Sequence, residues 1–169
     1  MEVKLGGLAV TPLASGGFPE QSYQSAGDGV TEDRRTGGTL VKMVHFRKTI
    51  ITISGTGLMG LGFDGLDFDQ PLELLCTKPR YLIPLTLEGV IPGQIRPDVA
   101  PWALARVGNR EIPTGITMTG NNFEITPKAG ATSYKVGWLP RFLVSCEPPD
   151  EALRAGELPY SWSFDAREV

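Results

Sequence analysis

The chain has 169 residues, 41% of them hydrophobic and 21% charged, with 21 Gly and 14 Pro. This length sets a prior of about one domain with a real core, and so many backbone punctuators disfavour a helical bundle or coiled coil. Sixteen Lys and Arg against nineteen Asp and Glu leave a net charge of −3 and a pI near 5.2, which argues against phosphate-driven nucleic-acid binding, and no apolar run approaches the ~18–20 residues of a membrane span.

In chain order, Met1-Glu-Val-Lys4 lacks the basic-then-apolar layout of a secretory leader, so synthesis and retention in a cytosol are expected. Residues 2–10 read as a first strand. Residues 11–37 hold clusters of Gly, Ser, Pro and Asp with little apolar periodicity, the composition of a long arm or loop. From Gly38 the character changes: Thr39–Phe46 and Lys48–Ser54 are rich in β-branched and aromatic residues. Leu40, Lys42, Val44 and Phe46 share one strand face, and Ile51 and Ile53 alternate with Thr52. Residues 55–65 are too rich in glycine for a helix. Strand-like composition returns at Pro71–Thr77 and at Arg80–Leu87, where Pro84 marks an edge or bulged strand.

A Pro/Gly/Asp stretch over 91–101 separates the halves. Beyond it, Trp102–Val107, Gly108-Asn109 and Arg110–Ile112 form the pattern of a tight hairpin, repeated over Thr117–Thr126 around Gly120-Asn121-Asn122. Ala131–Trp138 alternates Tyr134, Val136 and Trp138 on one face, and Phe142, Val144 and Cys146 follow in the next strand. Pro149–Ala155, with acids at its start and Gly156 after it, is the one helix candidate. Tyr160, Trp162 and Phe164 share a face of a last strand. The fold expected is all-β, a β-sandwich or β-barrel-like domain with a long N-terminal arm and one short helix near 149–156. It is a single domain over 1–169, with sub-modules at 38–90 and 102–169.

The motifs that could carry chemistry are poor. Gly55-Thr-Gly-Leu-Met-Gly60 matches G-x-G-x-x-G, but Gly62, Gly65 and Pro71 leave no room for the helix whose N-terminus would face a pyrophosphate. Asp64, Asp67 and Asp69 miss the spacing of an EF-hand loop. His45 is the only histidine, so no paired-His zinc site exists, and no nucleophile elbow is present. Catalytic residues, cofactor and metal are therefore all expected to be none. Cys76 and Cys146 are too few for a disulfide framework and read as buried thiols. Trp102, Trp138 and Trp162 are expected in the core, with a sugar-stacking surface as the alternative.

His45-Phe-Arg-Lys-Thr-Ile-Ile-Thr-Ile-Ser-Gly-Thr-Gly57 and Leu61-Gly-Phe-Asp-Gly-Leu-Asp-Phe-Asp-Gln-Pro-Leu-Glu-Leu74 resemble segments of small tail or baseplate structural proteins of contractile-tailed bacteriophages. Pro127–Trp138, Glu147–Glu151 and the aromatic C-terminal strand resemble the same group, so the likeness spans residues 38–169. Ala129–Val136 is also similar to a strand of fibronectin type III modules. The phage resemblance implies a non-enzymatic virion component, made in the bacterial cytoplasm, at the tail tube end or baseplate. It would act by symmetric self-association, as a trimer or hexamer, and by docking to other tail proteins. The assembly contacts expected are Phe18, Val30, the Arg34-Arg35 pair, Arg47 and Lys48. A carbohydrate- or cell-surface-binding β-sandwich is the second reading.

Overall fold

The computed structural model describes residues 1–153 and 159–169. Of these, 53% are strand and 4% helix, so the protein is all-β as its turn-rich composition requires. The chain divides into two compact units. One is discontinuous, Glu2–Glu73 with Leu143–Val169; the other, Leu74–Phe142, is inserted into it, with Met1 grouped alongside. The division does not fall in the Pro/Gly/Asp stretch at 91–101, which lies inside the inserted unit.

In chain order the elements are β1 (Lys4–Leu5), β2 (Leu8–Ala9), α1 (Pro12–Ser15), β3 (Glu20–Ser25), a 3-10 turn at Gly27–Gly29, β4 (Val30–Arg34), β5 (Leu40–Val44), β6 (Thr49–Gly57) and β7 (Leu72–Leu75). There follow β8 (Arg80–Leu82), β9 (Glu88–Val90), β10 (Gln94–Ile95), β11 (Trp102–Val107), β12 (Arg110–Thr114), β13 (Ile116–Thr119), β14 (Asn122–Ile125) and β15 (Ala131–Trp138). The last are β16 (Pro140–Cys146), β17 (Asp150–Ala152) and β18 (Tyr160–Glu168).

The discontinuous unit is built on a ladder in the order β2-β1-β7-β16-β18-β6-β3, with β17 on β18. The nine-residue strands β6 and β18 pair antiparallel from Tyr160↔Gly57 to Arg167↔Ile50. Their inward positions bury Ile51, Ile53, Trp162, Phe164 and Ala166, the period-2 pattern of a strand with one face in a core. The Trp162 indole N–H donates to Ala14 O at 2.6 Å, and the Phe63 and Phe164 rings meet edge-on at 6.3 Å. α1 is the one α-helix among the described residues: Pro12 stands in its first turn and Gly16 ends it with φ +60°. A side chain at Gly16 would be strained by that φ and would meet Thr56 O at 2.6 Å.

Two expectations need correction. Residues 11–37 are not one loose arm, because α1 buries Ala14 and Ser15 and β3 adds to the sheet from Glu20↔Ser54 to Ser25↔Thr49. Edge pairing is made by the backbone, so a polar strand with Gln21 buried gives no apolar alternation to read. The helix expected near 149–156 also does not begin where the Pro-acid pattern places its start. Asp150–Ala152 is strand, paired Asp150↔Ser163 to Ala152↔Ser161, since bonds to the long C-terminal strand outweigh weak local propensity; the rest of that stretch, 154–158, lies outside the described residues.

The inserted unit is a small sandwich of two antiparallel sheets, β12-β11-β15-β8 and β13-β14-β9. Ala103, Val136 and Trp138 from the first meet Phe123 and Ile125 from the second, with Ile91. Both predicted hairpins are present: Val107↔Arg110 closes over Gly108-Asn109 and Thr119↔Asn122 over Gly120-Asn121. Gly108 and Gly120 take φ +60° and +62° while, among the described residues, no non-glycine residue has positive φ, the type II′ signature. Arg96, 1% exposed, forks onto Asp98 at 2.5 and 2.9 Å and donates to Cys76 O at 3.2 Å, so the buried guanidinium is paired rather than stranded.

Candidate functional site

The site that stands apart from both cores is a two-stranded ribbon. β3 and β6 pair as far as Ser25↔Thr49, and Ala26 N–H then donates to Lys48 O at 2.9 Å. The 3-10 turn on one strand and Phe46-Arg47-Lys48 on the other interrupt the ladder. It resumes through His45 N–H to Gly29 O at 2.8 Å and the β4–β5 register Val30↔Val44, Thr31↔Met43, Glu32↔Lys42, Asp33↔Val41 and Arg34↔Leu40. At this waist a Cβ on Gly29 would lie 2.3 Å from Phe46 O, so only glycine lets the strands cross so closely. β4 and β5 pair with each other and with no other strand among the described residues.

Directly opposed residues in an antiparallel pair point to the same side. One face of the ribbon therefore carries Val30 and Val44, then Glu32 and Lys42, then Arg34 and Leu40; the other carries Thr31 and Met43, then Asp33 and Val41. Neither face is buried: Leu40 and Met43 are 51% exposed and Val44 45%. Lys42 Nζ lies 2.6 Å from Glu32 Oε1. At the tip, Arg35 N–H donates to Thr39 O at 3.0 Å, Gly38 N–H to Arg35 O at 2.7 Å, and Arg34 Nη1 to Gly38 O at 3.3 Å.

The ribbon thus gathers three of the expected contact residues, Val30 at its base and Arg34 and Arg35 at its tip. Arg47 and Lys48 stand at the waist, where Lys48 Nζ donates to Val169 O at 2.7 Å. Phe18, 83% exposed, belongs to a different segment, between α1 and β3. Glu32, Lys42 and Met43, and the solvent exposure of Leu40 and Val44, are features of the ribbon that the expected contact set does not include. Their signal was present: a Gly37-Gly38 turn flanked by two short strands, with an acid and a base equidistant from the pairing axis.

The remaining candidates resolve into structural roles. In the G-x-G-x-x-G string, β6 runs on through Gly57. A Cβ at Gly55 would strike the Trp162 indole at 2.5 Å and one at Gly57 the Ala14 carbonyl at 2.3 Å, so these glycines serve close packing. Asp67 Oδ1 accepts from the Asp69 N–H at 3.1 Å, and among the described residues no cluster of three or more His, Cys, Asp or Glu is placed to hold a metal ion. His45 is exposed at the ribbon base. Trp138 and Trp162 are buried, 2% and 3% exposed; Trp102 is half-buried, its indole laid against the Gly137 backbone and edge-on to Tyr81 at 6.1 Å.

An open depression of about 600 Å³ on the β13-β14-β9 sheet is lined by Glu88, Glu124, Asn122 and threonines; it holds no His or Cys. The hydrogen bond that Tyr160 donates to Glu151, at 2.6 Å, raises the Tyr160 pKa above the usual phenol value, aided by desolvation and by the Glu151 and Asp64 charges. Burial, with the Glu147 charge, raises the Cys146 thiol. Neither shift creates a base or nucleophile at neutral pH. Comparison with known proteins finds no matching protein family, no matching curated protein and no matching solved structure.

Proposed function

We propose that the chain is a non-enzymatic structural component of a bacteriophage tail, at the tube end or baseplate, that self-associates and docks to other tail proteins. The observation that carries the reading is the β4–β5 ribbon, whose two faces are both in water. An isolated two-stranded hairpin is marginal at best in water, and a chain that keeps half-exposed Leu40, Met43 and Val44 there retains a surface suited to a partner. The phage context comes from the sequence resemblance over residues 38–169. Burial of Trp138 and Trp162 supports this reading over a sugar-binding module built on them.

The test replaces residues 32–42 with Asn-Gly, since Thr31 and Met43 are register partners in the hydrogen-bonded phase set by the His45 N–H to Gly29 O bond, the kind of pair a two-residue turn can join. The wild-type chain is expected to form a discrete oligomer by sedimentation and light scattering. The shortened chain is expected to stay monomeric with an unchanged circular dichroism spectrum. A wild-type chain that stays monomeric, or a shortened one that assembles equally well, overturns the reading.

A further inference from the structure

We infer that the ribbon joins copies of this chain head to tail, the outer edge of β4 in one copy pairing antiparallel with the outer edge of β5 in the next. This deepens the self-association proposed above and rests on it. Both strands are five residues long, and each presents an outer edge that no other strand covers among the described residues. Backbone groups on such edges are templates for strand addition.

Charge decides among the pairings. With full overlap, two β4 strands related by a two-fold axis place Glu32 opposite Glu32, and two β5 strands place Lys42 opposite Lys42. Like charges directly opposed are destabilising. Only β4 against β5 of the next copy sets Glu32 beside Lys42, in the register already made within one ribbon, where that pair closes at 2.6 Å. The same alignment continues Val30 and Val44 as an apolar row running from copy to copy. The result is an antiparallel sheet in which every ribbon points the same way, and a heterologous contact of this kind builds rings or filaments rather than closed two-fold dimers.

The experiment compares the wild-type chain, Glu32→Lys, Lys42→Glu, the double exchange, and an equimolar mixture of the two single variants. The midpoint concentration of assembly is followed by analytical ultracentrifugation, with circular dichroism as the fold control. Each single reversal is expected to raise the midpoint about two- to tenfold, the size of exchanging an attractive cross-strand pair for a like-charge one. The double exchange and the mixture are each expected to restore it. The mixture is decisive, because both of its members still carry a broken pair inside their own ribbon.

Failure of the mixture to assemble while the double exchange succeeds overturns the inference, by confining the pair to one ribbon. Single variants that assemble like wild type overturn it too and leave self-association standing. A Lys42→Glu variant without effect beside a perturbed Glu32→Lys shows that Lys42 does not face Glu32 across the joint and overturns the head-to-tail arrangement. A wild-type chain that never assembles removes the inference together with the reading it rests on.

Discussion

Two hairpins of similar length, β13–β14 in the inserted unit and β4–β5 in the discontinuous one, differ in where their apolar side chains go. In β13–β14, Phe123 and Ile125 point into the sandwich and alternate with exposed Asn122 and Glu124. In β4–β5, opposed pairs such as Thr31 and Met43 face water on one side while Glu32 and Lys42 do so on the other. Hairpin pairing is thus the same local event in both, and only the first is held by a core of its own chain. The second leaves Leu40, Met43 and Val44 about half exposed to solvent.

The largest expected effect is in the hairpin with a core. Phe123→Ala should cost about 3–5 kcal/mol by denaturant unfolding, the usual range for an emptied aromatic core site. A cost under about 1 kcal/mol would erase the contrast. Gly57→Ala acts at the far end of the strand from which the ribbon emerges, where a Cβ would meet the Ala14 backbone at 2.3 Å. Overpacking there should cost about 1–3 kcal/mol, measured in the same way.

In the ribbon, Met43→Ser should change subunit stability by no more than about 0.5 kcal/mol, as for exposed positions without special contacts, while weakening assembly. Brief trypsin treatment should cut isolated subunits at Arg34 or Arg35 and spare assembled ones. Equal resistance in both states would show that the ribbon is fixed by its own subunit, and equal sensitivity would remove it from the interface.

The smallest effect is at Tyr160. Its pKa is raised in the folded state, chiefly by the hydrogen bond to Glu151, so the stabilisation is complete below the unfolded value of about 10 and is lost as pH rises through the folded value. Tyr160→Phe should leave the alkaline limb of the stability profile flatter, read from thermal unfolding between about pH 8 and 11. An unchanged limb would remove the linkage.

The legible parts of the fold were those whose pattern is local. The Gly108-Asn109 and Gly120-Asn121 turns show themselves by residue type, and Ile51/Ile53, Phe142/Val144/Cys146 and Trp162/Phe164 by period-2 burial. β3 was not legible, because its place depends on backbone bonds to β6 and its side chains are polar. β17 was hidden for a related reason: Pro149 followed by acids suits a helix start until β18 lies beside it. At the site, the alternation of Leu40, Lys42 and Val44 gave the strand and its faces; periodicity says which side chains share a side and nothing of whether that side is covered. The seams at 73/74 and 142/143 left no mark, since they fall inside β7 and β16 rather than in linkers.

Those seams carry one further consequence. β7 and β16 are neighbours in the ladder, and the Cys76 N–H, one residue past β7, donates to the O of Pro140, the first residue of β16, at 3.2 Å. The chain therefore leaves for the sandwich and comes back at one spot. Loop closure depends on the distance between the ends and only weakly on what lies between them. Doubling the length of chain between two such close points adds only about 0.6 kcal/mol of closure entropy, so the length of the 76–140 excursion sits lightly on the pairing of β7 with β16.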